Sequence, residues 1–204
     1  KLIRPLKKIK KNKILIKNEE INLIVEKTFK ALNAENFNIP AYPQETRIIC
    51  YEIFEFLLEN FKEFITENEN QKEKEKVPEF LQLILDAIDS EKDPRNILKM
   101  FSLIEKVNLN FFNKNKNKNS IVKDGNVGIN IDIDIDLLNN EVMNNLNKSF
   151  FETLEIYYPI EFSQPKNSKE NITANDLINS LNKAFASNDS YMEFIFEILK
   201  GKII

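Results

Sequence analysis

The chain has 204 residues, 42% of them hydrophobic and 30% charged, with a formal net charge of −3; it is long enough to bury about 70% of its unfolded surface and too nearly neutral to bind nucleic acid through overall charge. It holds one cysteine, Cys50, and no histidine, which excludes an internal disulfide and removes the commonest general base and metal ligand. No apolar run approaches the ~20 residues of a membrane span, and the dominance of Asn (29), Ile (28) and Lys (26), each of which can be coded by A and T alone, lowers the functional weight of any Lys or Asn tract.

Residues 1–17 carry seven Lys and Arg4 without an acid. This basic segment reads foremost as a solvated charged face; phosphates, acidic lipid or a nuclear import receptor are its alternative ligands. It has no aromatic side chain to stack on bases. Without an initiator Met or a signal peptide's apolar core, the sequence reads as a segment of a longer chain.

Apolar residues at helical spacing then predict a series of helices. The first covers about 18–33, with Ile21, Ile24, Val25, Phe29 and Leu32 on one side. The second covers about 44–66, where Tyr51, Phe54, Leu58, Phe61 and Ile65 step by three or four. After a charged stretch from Thr66 to Lys76, Pro78 opens a third over about 78–89. Asp93 suits an N-cap and Pro94 the first helical position of a fourth, which runs to about Leu109 with Ile97, Leu98, Phe101, Ile104 and Val107 as its buried stripe. Residues 113–136 read as a low-complexity or loop insertion, first alternating Asn and Lys and later Ile and Asp. A helix over about 135–158 follows, with Leu138, Val142, Leu146, Phe150, Leu154 and Tyr157 on one side, and stops at Pro159. Thr173 and Asp176 have capping-box spacing, with Asp in place of Glu or Gln, for a helix over about 174–186. The last helix starts near Ser187 to Ser190 and reaches about Lys200, with Gly201 as its C′ residue.

The fold class expected is therefore all-α: antiparallel helix pairs with short turns are what an α-α superhelix of HEAT-type repeats stacks, here over residues 18–204 with a loop insertion at about 113–136, and the irregular spacing does not by itself establish the repeat. The length suits roughly four to five repeats of ~40–47 residues.

No catalytic pattern emerges. Asp132, Asp134 and Asp136 resemble the start of a calcium loop, but its sixth and twelfth positions hold Leu137 and Met143 instead of Gly and Glu. Cys50 lies on an apolar helix face with no His or second Cys to pair with, as a small buried hydrophobe does. Nothing cradles a phosphate or forms a nucleophile elbow. The chain reads as a non-enzyme without cofactors. The aromatic cluster Tyr157-Tyr158-Pro159-Ile160 with Phe162 either packs under its linker, the favoured reading, or forms a partner site.

The run from Asp89 through Asp93, Pro94 and Arg95 to Leu98, followed by Phe101, closely resembles a segment of one family. So does the run from Tyr157 to Phe162, then Pro165, then Ile172-Thr173 and Asp176-Leu177, in the same order and spacing. The family is the large HEAT-repeat adaptor of the cytosolic iron–sulfur protein assembly targeting complex, also described as a DNA-repair and RNA-polymerase-II transcription cofactor linked to transcription factor IIH. The resemblance covers roughly residues 20–201 and excludes the basic start and the insertion. It implies Asp89, Asp93, Pro94, Arg95, Tyr158, Pro159, Phe162, Thr173 and Asp176 as structural motif residues. In HEAT repeats an Asp at the turn and an Arg in the second helix form a charge-assisted ladder, and on that basis Arg95→Ala costs roughly 1–3 kcal/mol if its partner is buried.

The resemblance further implies a scaffold of cytoplasm and nucleus that binds WD-repeat and other assembly factors. Its clients would be apo iron–sulfur proteins such as XPD-type helicases and DNA polymerases, with no direct nucleic-acid or membrane partner. A nuclear-transport or trafficking scaffold shares the fold and is the competing reading, beside a nucleic-acid module built on the basic start.

Overall fold

The computed structural model describes Lys27 and residues 38–67, 76–113, 141–163 and 171–202. Every regular element among them is helical, as the composition and periodicity lead one to expect. The basic segment, nearly all of the helix expected over 18–33, the Ile-Asp stretch and Pro165 lie outside the described residues. The chain forms two compact units, residues 1–88 and 89–204.

In the first unit a short 3₁₀ turn, Ile39–Ala41, leads into α1 (Gln44–Glu67). Pro40 sits in that turn, and the Tyr42 amide closes it on the Ile39 carbonyl at 3.0 Å. Helix α1 runs for 24 residues without Gly or Pro, so nothing interrupts its ladder. Its inward face carries Tyr51, Phe54, Leu57 and Leu58, all fully or almost fully buried. Helix α2 (Lys76–Ile88) admits Pro78 in its first turn, where no intrahelical amide is required. It buries Val77, Phe80, Leu81, Ile84 and Ile88.

The Tyr51 hydroxyl donates to the Ala87 carbonyl at 3.2 Å, and the Phe54 and Phe80 rings lie 6.1 Å apart. Positions advancing along α1 thus meet positions receding along α2, so the pair is antiparallel. Each large side chain so buried contributes about 1.5–3 kcal/mol. Cys50 belongs to this interior, and burial pushes its thiol up to about 11, which keeps it protonated and unreactive.

The second unit holds α3 (Pro94–Val107), α4 (Glu141–Glu155), α5 (Ala174–Ala186) and α6 (Tyr191–Lys202). Phe101 meets Tyr157 just past the end of α4, while Phe112, beyond the end of α3, meets Phe150. Helix α4 therefore runs antiparallel to α3. Pro94 and Ile97 share a cleft wall with Leu177, and Asn108 bonds to the Ala184 carbonyl, so α5 runs parallel to α3. Alternating directions with every second helix aligned is the packing that helical repeats use.

Several boundaries differ from those the spacing predicts. Helix α3 ends at Val107, close to the Leu109 expected, but the chain does not leave the helical path there: a π turn, Asn108–Phe112, follows it, and this widened turn brings Phe111 and Phe112 inward. Its buried stripe is Met100, Phe101, Leu103, Ile104 and Val107, with Ile97 and Leu98 only half-buried. Helix α4 stops at Glu155, before Tyr157 and Tyr158, which lie in the following turn and irregular segment with a cis Tyr158–Pro159 peptide. Val142 is exposed, so the inward face of α4 begins at Met143. Gly201 lies within α6 and is not its terminator: the helix runs on to Lys202, and no glycine among the described residues has positive φ.

Candidate docking site around Glu91 and Tyr157

The turn before α3 is organised by a buried carboxylate. Ser90 takes φ of 56°, the left-handed region, and turns the chain after α2. Glu91 then folds under the start of α3 and is only 4% exposed. Its Oε1 accepts from the amides of Lys92 and Asp93 at 2.9 and 3.0 Å, and its Oε2 accepts from Asn96 Nδ2 at 3.0 Å. A carboxylate can be buried here because amide donors and the positive end of a helix face it.

Asp93 caps the same helix. Its Oδ1 accepts from the Arg95 amide at 3.0 Å and from Arg95 Nε at 2.8 Å, while Oδ2 accepts from Nη2 at 2.7 Å. The Arg95 guanidinium thus grips its own cap in a two-pronged pair, and this holds the Asp93 carboxyl below the usual carboxylate range. Of the ladder expected from Asp and Arg, this pair within one helix start is the part described. Asp89 is exposed, and among the described residues its carboxylate accepts only from Ser90 Oγ, at 3.2 Å. One link from this turn to the segment after α4 runs through the Glu91 backbone.

That link is Tyr157, whose hydroxyl donates to the Glu91 carbonyl at 2.7 Å while its ring stands edge-on to Phe101 at 5.5 Å. Burial, with the charges of Glu91 and Asp89 adding to it, pushes the phenol up to about 12, so it remains a donor at any physiological pH. The two sequence motifs, 66 residues apart, therefore converge on one place. The aromatic run divides accordingly: Tyr157 packs inward, whereas Ile156 is 78% and Tyr158 61% exposed.

Between the motifs lies a cleft of about 500 Å³. Pro94 and Ile97 form one wall, the run from Ile156 to Phe162 the other, and Leu177 lines it from α5. Pro159 and Phe162 thus face the cleft together with Tyr158. Thr173 and Asp176 do not reach it; they form the capping box of α5, with the Thr173 hydroxyl accepting from the Asp176 amide at 3.2 Å and the Asp176 carboxylate accepting from the Thr173 amide at 2.8 Å. Those bonds hold the Asp176 carboxyl below its usual range.

A second buried polar cluster ties α3, α4 and the α5–α6 turn together. Asn108 Nδ2 donates to the Ala184 carbonyl at 3.1 Å and to Ser187 Oγ at 2.9 Å. Its Oδ1 accepts from the Tyr191 hydroxyl at 2.9 Å. Asn188 Nδ2 donates to Asn147 Oδ1 at 2.7 Å, and Asn147 Nδ2 to Ser190 Oγ at 2.9 Å. Burial raises the Tyr191 phenol, so it too acts as a fixed donor.

Sequence reasoning placed Glu91 and Asn96 within the first motif without their buried role, and missed Asn108 and Asn188. For two of them a signal exists: Asn96 falls in step with Met100, Leu103 and Val107, and Asn108 with Phe101, Ile104 and Phe111, so each sits on an otherwise apolar helical stripe. A polar residue in such a register must find a partner indoors. Glu91 and Asn188 lie in turns, which have no period to betray burial.

Among the described residues no group of three His, Cys, Asp or Glu side chains is placed to hold a metal ion. The cleft offers apolar and aromatic faces with two rim charges, which is the chemistry of protein recognition.

The family model described as Dos2-interacting transcription regulator of RNA-Pol-II matches residues 3–203. The chain is similar to the DNA repair/transcription protein mms19 of Schizosaccharomyces pombe, 23% identical over 172 residues that make up 82% of this chain and 13% of that protein. It is also similar to the MMS19 nucleotide excision repair protein homologs of mouse and human, 28% and 25% identical over 119 residues, in both cases 58% of this chain and 9% of the relative. The chain thus spans only a small part of the length of these curated relatives. No solved structure matches it.

Proposed function

The chain belongs to the family of Dos2-interacting transcription regulators of RNA-Pol-II, and from that premise we propose that it is a non-catalytic, HEAT-type adaptor segment of a DNA-repair and transcription protein. In this reading the whole protein helps deliver iron–sulfur clusters to apo clients of repair, replication and transcription, working in cytoplasm and nucleus with WD-repeat assembly factors. The observation that carries the reading is the match over almost the entire chain. It is supported by the junction of the two motifs, where Tyr157 bonds to the Glu91 backbone beside an apolar cleft. Buried polar contacts there hold helices in register, and the faces left outward are aromatic and aliphatic, as a binding surface requires and a catalytic one does not.

The test is affinity purification of the full-length protein from its own cells. The reading expects WD-repeat assembly factors together with XPD-type helicases or DNA polymerases. Recovery of nuclear transport receptors or coat proteins in their place would overturn it.

A further inference from the structure

The cleft of the second unit has features that the adaptor reading does not absorb. Ile156 and Tyr158 are large apolar side chains that stand at 78% and 61% exposure beside it. Single exposed apolar residues are ordinary, but these two flank Tyr157 and border a cavity lined by Ile97, Ile160 and Phe162. Two opposite charges complete the rim: Lys92 and Glu161 are both exposed and both line the cavity. Neither side chain has an ion-pair or hydrogen-bond partner among the described residues. They contrast with Asp93 and Arg95 close by, which neutralise each other.

The wall itself is irregular backbone. Ile160, Glu161 and Phe162 follow Pro159 outside any helix, and among the described residues their amides and carbonyls take no backbone partner. Free main-chain donors and acceptors beside an apolar trough suit an extended chain, which brings its own main-chain groups and alternate side chains. They suit a compact small molecule poorly, since the most exposed apolar surface lies on the rim and not within an enclosed pocket.

We propose that this cleft receives a short extended peptide of a partner protein, with a bulky apolar anchor against Ile97, Tyr158 and Phe162, an acidic residue of the peptide meeting Lys92 and a basic residue meeting Glu161. The proposal rests on the adaptor reading for its biological setting and on the cleft alone for its chemistry. The anchor supplies most of the affinity, because buried aromatic contacts dominate such interfaces. The two charges fix the direction in which the peptide lies, because rim charges discriminate more than they bind.

The experiment uses the full-length protein and a synthetic array of octapeptides carrying a central Phe, Leu or Trp, with Asp on one side and Arg on the other. Control arrays place Ala at the centre or exchange the two charges. Binding is expected for one charge order over the other and is lost with the Ala centre. Tyr158→Ala is expected to weaken it about tenfold or more, with far-UV circular dichroism unchanged because the side chain is exposed. Lys92→Glu is expected to weaken it about three- to tenfold and to recover binding toward peptides whose Asp is replaced by Lys. Equal binding by wild type and Lys92→Glu to the Asp-bearing and Lys-bearing peptides would overturn the proposal, as would indifference to the central residue.

Affinity purification with the Tyr158→Ala, Lys92→Glu double variant separates this from the adaptor reading. Iron–sulfur proteins recovered equally by the variant and wild type would sink the cleft and leave the adaptor. Selective peptide binding in a protein that recovers no such partner would sink the adaptor and leave the cleft.

Discussion

The two units of the chain bury different things. The first closes α1 on α2 through aromatic and aliphatic side chains, with Phe54 on Phe80 and with Leu57, Leu58, Leu81 and Ile84 sealed from solvent. The second encloses an interior of Phe101, Phe150, Phe151 and Leu154, but threads it with Glu91, Asn96, Asn108, Ser187 and Asn188. Among the described residues Glu55 is the one other buried polar or charged side chain, and it lies in the first unit. An apolar interface tolerates any filling of suitable volume. A buried amide network tolerates only the partner that completes it, since each orphaned donor or acceptor carries its full desolvation cost. The difference teaches where the sequence is free: apart from the Tyr51 hydroxyl on Ala87 and the buried Glu55, the helix pair needs size and period, whereas the second unit needs particular atoms at many places.

The comparison can be broken in order of expected effect. Phe54→Ala should cost about 3–5 kcal/mol, since it opens a cavity at a site with no exposure, while Leu57→Met should cost less than about 1.5 kcal/mol. Urea unfolding with the slope held free reads both. A small loss for Phe54→Ala would mean that α1 and α2 can collapse around the hole.

Asn108→Leu keeps the branched shape and removes the amide. It should cost about 2–3 kcal/mol, because the Tyr191 hydroxyl and Ser187 lose their shared partner. Amide exchange in α3 and α5 would accelerate with it. Were this swap as mild as Leu57→Met, the distinction between the two interiors would fail.

Smaller effects probe the turn before α3. Asp93→Ala should cost about 1 kcal/mol as a lost cap. Because Arg95 holds the folded carboxyl below its ordinary value, the stabilisation is fully present above the unfolded value of about 3.9. It fades as pH falls through the lowered folded value. Wild type and variant should therefore converge in stability in acid, and divergence there would show that the carboxylate is not the stabilising group.

The smallest effect is expected for Arg95→Ala. The pair is 37% and 22% exposed at its two side chains, which lowers the 1–3 kcal/mol expected for a buried partner to about 0.5 kcal/mol, diminishing further in salt. A loss above about 2 kcal/mol, set against this surface-pair expectation, would mean that contacts of Arg95 beyond its pair with Asp93 carry most of its effect.

Much of this architecture is legible along the chain. Helix α1 announces itself through Tyr51, Phe54 and Leu58 at steps of three and four, and α3 and α5 through Asp93-Pro94 and through Thr173 with Asp176. These signals are local: a cap and the helix it starts lie within four residues, and periodicity needs only one face. The features that escape the local rule are those where packing overrides it. The π turn after Val107 forms where Phe111 and Phe112 find a buried place, and α6 continues through Gly201 although glycine commonly ends helices.

The sequence by itself determined that this chain is helical, where most of its described helices begin, that Cys50 is an interior residue and that two separated motifs mark one family. Only the tertiary structure decided that those motifs meet, that Glu91 carries the turn while Asp89 stands in solvent, and that Tyr157 turns inward while Tyr158 turns out. The physical reason is distance. Caps and periodicity are written within a few residues, but the Tyr157 to Glu91 bond spans 66 positions and the Asn108 to Ala184 bond 76. Pairings at such separations exist only once the helices between them have packed.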